Sequence, residues 1–180
     1  MMLDIFPRAA TPADAPAIAA LHAASWQAAY RGDFSDHYLD VECPAERLAV
    51  WTERFAAPNP NMVARVLEED GKRIVGFCCT FYDYDEHGSY LDNLHVAKDY
   101  HGWGFGRTLM VDTARQLADR DPNGSFYLVV LTSNQAAIGF YERMGGRFGK
   151  VSHRNLAGNT VEVVAVHWTL RDFFRVVGVL

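Results

Sequence analysis

Residues 91–110 read LDNLHVAKDYHGWGFGRTLM. An apolar, β-leaning run, Leu91 to Val96, leads into a turn carrying Gly102, Gly104 and Gly106, and that turn opens a segment of amphipathic helical spacing. The first turn of a helix has backbone N–H groups without an intrahelical partner, and the aligned peptide dipoles add partial positive charge there. Glycine lets the backbone come close to a ligand and take a positive φ without a Cβ clash. The stretch is therefore built as an anion cradle, and a phosphate suits it.

Auxiliary residues decide which phosphate. A P-loop needs Gly-Lys-Ser/Thr to reach the terminal phosphates and magnesium; here Arg107 and Thr108 follow Gly106 and the GxxxxGK spacing is absent, which argues against ATP. A dinucleotide fingerprint needs a third glycine three residues after the second, and an acidic residue about twenty residues on, at the end of the next strand. Leu109 holds the glycine's place, and the next apolar run, Phe126 to Leu131, ends in Thr132, Ser133 and Asn134, which disfavours NAD. What remains is Gln/Arg-x-x-Gly-x-Gly/Ala, with His101, Gly104 and Gly106 in the three named places.

The flanking sequence predicts one α/β (α+β) domain. Thr11 to Tyr30 reads as a helix with Thr11 as N-cap and Pro12 at its first position, and Ala45 to Phe55 as a second. Met62 to Leu67 and Arg73 to Tyr82 read as an antiparallel hairpin turning at Glu68 to Lys72, and Tyr90 to Val96 as a third strand. Gly104 to Arg120 alternates Leu109, Met110, Ala114 and Leu117 with polar residues at helical spacing, and Phe126 to Leu131 reads as a strand covered on both faces. This strand, helix and strand make a βαβ unit with the expected right-handed crossover. Ser133 or Asn134 caps a further helix that stops at Gly145-Gly146, and Arg147 to His153 with Thr160 to Thr169 close the sheet as a hairpin.

Bulk composition fits a compact enzyme. The 180 residues are 49% hydrophobic and 22% charged, enough to bury a sizeable core. No apolar run reaches the roughly 18 residues a membrane span needs, and the beginning MMLDIFPRAATPADAP has no secretory pattern, so a cytoplasmic location is expected. A net charge of −5 argues against nucleic acid as partner and tolerates a cationic one. Cys43, Cys78 and Cys79 fit neither a disulfide framework nor a zinc site, and Cys78 and Cys79 are expected on opposite faces of one strand. The histidines show no HxxxH or HExxH spacing, so no metal is expected.

The glycine pattern, preceded by LDNLHV and followed by NQAAIGFYERMGG at 134–146, resembles the GCN5-related N-acetyltransferase (GNAT) superfamily. Two separate motifs carry the resemblance, in the right order and at the right interval; it spans most of the chain and is strongest over 91–145. His101 stands where the family usually has Gln or Arg, a small departure because the loop binds pyrophosphate mainly through backbone N–H groups. The resemblance implies a single-domain GNAT fold, whose central mixed, mostly antiparallel sheet splays between two parallel central strands and is flanked by helices. It also implies acetyl-CoA as acyl donor. Leu94 and Val96 would supply main-chain contacts to the pantetheine arm, with His95 between them, and a backbone N–H near Leu94 would face the acetyl carbonyl. His101, Gly102, Trp103, Gly104, Phe105, Gly106 and Arg107 would hold the pyrophosphate.

The same resemblance makes Asn134 a contact of the cofactor arm and places Tyr141 near the thioester sulfur. Seven residues apart, they share a helix face. A tyrosine with pKa about 10 stays protonated at neutral pH and can protonate a departing thiolate of pKa about 8.5, which makes Tyr141 the candidate general acid. A lysine-like acceptor of pKa about 10.4 is deprotonated in about one molecule in 2,500 at pH 7, a deficit of about 4.6 kcal/mol. Asp92 is the candidate base, since period-2 alternation puts it on the face of Leu94; its alternatives are to bind a cation or pair with an arginine. Tyr90 stands where some relatives carry a catalytic glutamate. His95 has a suitable ordinary pKa but alternates to the opposite face from Asp92, which reads as a buried, hydrogen-bonded histidine.

SWQAAYRG, Ser25 to Gly32, resembles a segment that in many relatives lies beside the acceptor cleft. Trp26 and Tyr30 share a helical face and either wall the acceptor site or staple the helix to the core. FYDYDEHGSY, Phe81 to Tyr90, puts Asp83, Asp85 and Glu86 near the other rim, as a cation guide or a solvated hairpin tip. The apolar tail, 170–180, is expected to dock on its own sheet or on a second subunit, and a homodimer is favoured. The function read from these features is transfer of an acetyl group from acetyl-CoA to a primary amine of a small molecule or peptide, by direct attack in a ternary complex. The alternatives are a non-catalytic acyl-CoA sensor and, more remotely, a dinucleotide-binding module.

Overall fold

Strand β3, Arg73–Asp85, is buried without a break from Val75 to Thr80, which marks it as an interior strand of the sheet. The computed structural model describes residues 5–71 and 73–179; Met1–Asp4, Lys72 of the expected hairpin turn and Leu180 of the expected tail lie outside the described residues. Around β3 the chain lays down β1 (Pro7–Ala9), β2 (Met62–Glu69), β4 (Gly88–Val96), β5 (Ser125–Leu131), β6 (Arg147–Leu156) and β7 (Asn159–Thr169). They form one seven-stranded sheet in the order β1-β2-β3-β4-β5-β7-β6. All neighbours are antiparallel except β4 and β5. The expected mixed, mostly antiparallel sheet is thus present, with its one parallel pair at the centre.

Helices cover both faces. On one face α3 (Phe105–Arg120) brings Leu109, Met110, Ala114 and Leu117 against Cys78, Leu91, Phe126 and Val166. On the other, α1 (Ala15–Ala29) and α2 (Cys43–Ala56) bury Ile18 and Trp51 against Val66, Phe77 and Cys79. The adjacent cysteines therefore do face opposite cores, as alternation requires. Phe34 and Leu39, between α1 and α2, extend the cover over Leu131, Val161 and Val163. Among the described residues no helix is long and apolar enough to cross a membrane.

Two short devices fix the ends of elements. Thr11 precedes a 3-10 turn, Pro12–Asp14, that leads into α1, and its amide donates to the Asp14 carboxylate at 2.7 Å. Arg8 of β1 bridges Asp14 and Glu68 of β2, and its guanidinium helps hold the Asp14 acid at about 2. At the other end α5 (Leu170–Val176) is capped by Thr169 and buries Leu170 and Phe173, the latter edge-on to Phe126 at 5.5 Å. The apolar tail thus packs its large side chains on its own sheet, leaving Val176 and Val179 exposed.

Beneath α1 and α2 lies a polar pair in an aromatic setting. His22 is 2% exposed and accepts from Trp51 Nε1 at 3.1 Å through Nδ1; its ring lies 4.7 Å from that of His95, which stacks on Phe77. Burial, reinforced by Arg47, pushes His95 down to about 4, and burial together with His95, Arg47 and Arg54 pushes His22 further below its ordinary value. Both imidazoles are neutral in the fold, whereas an unfolded chain protonates them below about pH 6.5. The unfolded state then binds more protons, so stability is fully present above that value and falls as pH drops toward the folded values. Thermal melts should show a loss on the order of 2 kcal/mol per histidine between pH 7.5 and 5. His95→Gln should remove roughly half of that slope; an unchanged slope would place the acid sensitivity elsewhere.

Candidate active site

β4 and β5 pair at Ser89–Phe126 and Tyr90–Tyr127 and then part, although β4 runs on to Val96 and β5 to Leu131. Beyond the fork each strand keeps its other neighbour, β3 or β7, so the groups facing the gap are left without a ladder. Backbone donors and acceptors in such a place need a partner. An extended arm of amide groups can fill the gap as an added strand does.

The expected alternation fails at Asp92. Thr80 of β3 lies opposite Leu91, and Cys79 lies opposite Asn93, so Asp92 is an extra residue, a β-bulge. Leu91 and Leu94 both belong to the α3 face, while Asp92 and Asn93 both turn to α2. There Arg54 donates to Asp92 Oδ2 at 2.6 Å and to Asn93 Oδ1 at 2.9 Å. Asp92 is therefore not on the face of Leu94; it shares the α2 face with Asn93 and His95. Of the roles open to it in the sequence, pairing with an arginine is realised, and Oδ1 has no hydrogen-bond partner among the described residues.

The glycine turn lies where β4 ends. Lys98–Tyr100 form a 3-10 turn, and His101 folds back so that Nε2 donates to the Val96 carbonyl at 2.9 Å. Gly102 and Gly104 take φ of +83° and +85°, which side-chain-bearing residues rarely adopt. Gly104 is the N-cap of α3, and among the described residues nothing accepts from the amides of Gly102, Gly104, Phe105, Gly106 or Arg107. Gly106 has a different reason: a Cβ there would lie 3.2 Å from Phe140, so its absence lets α3 approach α4 (Gln135–Arg143). Trp103 is 61% exposed at the rim, and Phe105 is buried. The Arg107 side chain turns away from the glycine turn and donates to the Val177 carbonyl in the tail, leaving only its amide at the turn.

Across the gap, Asn134 caps α4 by accepting from the Ala137 amide at 3.1 Å. Its side chain lies beside the Tyr30 hydroxyl, and burial raises the pKa of that phenol above the ordinary tyrosine value. Tyr141 is 8% exposed, its ring edge-on to Trp168 at 5.9 Å, and its hydroxyl donates to no described residue. Burial, with Tyr30 and Tyr90 nearby, holds Tyr141 firmly protonated. The structure thus adds Tyr30 to Asn134 and Tyr141, a neighbour that sequence spacing could not supply.

Trp26 and Tyr30 meet edge-on at 5.3 Å and both pack on Phe34, while Arg47 lies over Trp26 at 4.7 Å. They staple α1 to the following segment and leave part of each ring accessible. The hairpin-tip acids are engaged locally: Asp85 accepts from the Tyr127 hydroxyl at 2.6 Å, and Asp83 faces Arg120. Tyr90 packs between Tyr84 and Tyr127, within reach of Arg154, and burial pushes it up to about 12. A depression of about 420 Å³ opens between Gly32-Asp33 and the ends of β5 and β7, where Ser133 already donates to Asp33 at 2.7 Å. Among the described residues no three His, Cys, Asp or Glu side chains converge as metal ligands. Sequence reasoning missed Arg54, Asn93, Arg47 and His22; no local pattern marks them, because each acquires its role through contacts with a distant element.

Comparison with known proteins agrees with this geometry. Residues 20–146 match the acetyltransferase (GNAT) family. Among solved structures, a GCN5-related N-acetyltransferase from Rhodopseudomonas palustris superimposes with a TM-score of 0.72 at 19% identity, covering 94% of this chain and 98% of its own. The PaiA N-acetyltransferase of Thermoplasma acidophilum, solved in complex with coenzyme A, gives 0.67 at 16% identity over 90% of this chain and 98% of its own. The ribosomal-protein-S18-alanine N-acetyltransferase of Escherichia coli gives 0.64 at 21% identity over 92% and 94%. With the match spanning well over half of its residues, the chain belongs to the GNAT acetyltransferase family.

Proposed function

We propose that the protein transfers an acetyl group from acetyl-CoA to a primary amine by direct attack within a ternary complex. The observation that carries this reading is the juxtaposition of a parted β4–β5 pair, a glycine turn with free amides and a buried tyrosine hydroxyl without a partner. The amides of Gly102, Gly104, Phe105, Gly106 and Arg107 take the pyrophosphate, while that of Trp103 stays on the Tyr100 carbonyl, and the bonding groups around Leu94, His95 and Val96 take the pantetheine arm. Backbone donors at the bulge face the acetyl carbonyl, where negative charge develops as the tetrahedral intermediate forms. The Asn134 side-chain amide steadies the arm from the other side.

Tyr141 is the donor to the leaving sulfur. Its phenol is less acidic than in water, so it acts by holding a hydrogen bond ready, and the same desolvation makes the departing thiolate a better proton acceptor. Asp92, through the oxygen that Arg54 leaves free, takes a proton from the acceptor ammonium directly or through water. Trp26 and Tyr30 form the adjoining wall of the acceptor site. A covalent acyl-enzyme is disfavoured on physical grounds: burial pushes the Cys78 thiol up to about 12 and also raises Cys79 and Cys43, so none presents a thiolate at neutral pH.

The test is thiol release from acetyl-CoA with a panel of amines: spermidine, lysine, an aminoglycoside and a peptide with a free alanine N-terminus. At least one should give saturable turnover, with the acetylated amine found by mass. Tyr141→Phe should lower kcat by about 10²-fold or more while leaving the KM for acetyl-CoA little changed. Cofactor binding with no thiol release from any amine would instead favour an acyl-CoA sensor, and an unchanged kcat in Tyr141→Phe would remove its role as acid.

A further inference from the structure

We infer that Arg54 is a positioning residue for acyl transfer, its guanidinium locking the β4 bulge, through Asp92 and Asn93, in the one conformation that offers the bulge backbone to the acyl carbonyl. The inference rests on the functional reading above and adds to it a residue outside the family motifs.

Consecutive residues of a regular strand point to opposite faces. Asp92 and Asn93 both reach Arg54, at 2.6 Å and 2.9 Å, which only the bulge makes possible. One planar guanidinium therefore reads two successive side-chain oxygens at once, and any slip of the bulge by a residue would break at least one of these bonds. A rigid fork of N–H donors suits this task, whereas a lysine ammonium is a compact point charge. The fork itself is held in place: it lies over Trp51 at 4.9 Å and near Phe81 at 5.4 Å, both part of the α2-side core. Asn93 is 8% exposed and the Arg54 side chain 23% exposed, so solvent competes weakly.

The bulge needs such a lock because its outer edge has no strand partner. β4 parts from β5 after Tyr90, so among the described residues the ladder with β3 is the one strand pairing at Asp92 to Leu94, and that ladder is itself shifted there. Arg54 acts here through the side chains of Asp92 and Asn93. It sets where the next amides along β4 point, and so the strength of their hydrogen bond to a carbonyl.

The experiment follows the backbone amides of Asn93 and Leu94 by ¹⁵N NMR in wild type, Arg54→Met and Arg54→Lys, titrated separately with coenzyme A and acetyl-CoA. In wild type, acetyl-CoA should displace at least one of these resonances beyond the position reached with coenzyme A, reporting the bond to the acetyl carbonyl. Arg54→Met should bind coenzyme A with unchanged affinity, since the glycine turn is untouched, but lose that difference between the two ligands. Arg54→Lys, able to serve one oxygen, should keep about half of it. If Arg54→Met does not fold, the reduction in Arg54→Lys carries the test. A role confined to stability would lower the melting temperature and leave the difference between ligands intact, which would overturn the inference. A wild-type protein responding to neither ligand would overturn the functional reading, and the inference with it.

Discussion

Two parallel strands that stop pairing after two register positions impose the constraint on which the rest of the structure depends. Buried backbone groups left without a partner cost about 1–3 kcal/mol each, so a gap of this kind survives only where surrounding elements hold it open or a ligand fills it. Here β3 and β7 secure the outer sides of the two strands, α3 and α4 floor the gap, and the segment from Trp26 to Leu39 packs against the β5 side. The result is an interior strand edge presented to an extended amide-bearing ligand, with the free amides of the α3 N-terminus at its mouth.

From that constraint the division of labour follows. The glycine turn offers backbone amides, while the His101 ring is spent on the Val96 carbonyl and the Arg107 guanidinium on the tail. The side chains gathered near the fork come from separate elements: Tyr30 from the segment after α1, Arg54 from α2, Asp92 from β4, and Asn134 and Tyr141 from the N-cap and body of α4. Burial does much of the electrostatic tuning. It keeps phenols protonated, thiols inert and the His22–His95 pair neutral, and leaves the Arg54–Asp92 ion pair beside the fork.

The fold was legible in the sequence wherever the governing physics is local. Glycines that take positive φ, an asparagine N-cap and the all-apolar β5 run are properties of short segments, and each lies where spacing placed it. The face of Asp92 was not legible. Period-2 alternation holds for a regular ladder, and the bulge exists only in the register of β4 against β3. Arg54 was invisible for the same reason, because its partners lie 38 and 39 residues away on another element. The contacts of Trp26 with Phe34 and Arg47 were not legible either, because those partners come from beyond the helix.

The central claim is that this gap and glycine turn hold acetyl-CoA. Thermal unfolding with saturating acetyl-CoA, beside NAD and ATP, tests it most directly. A ligand at about 100 times its Kd adds roughly 2.7 kcal/mol, or about 5–11 °C for a chain of this size. The account predicts a rise of that order with acetyl-CoA and none with NAD or ATP. A rise with NAD and none with acetyl-CoA would contradict it.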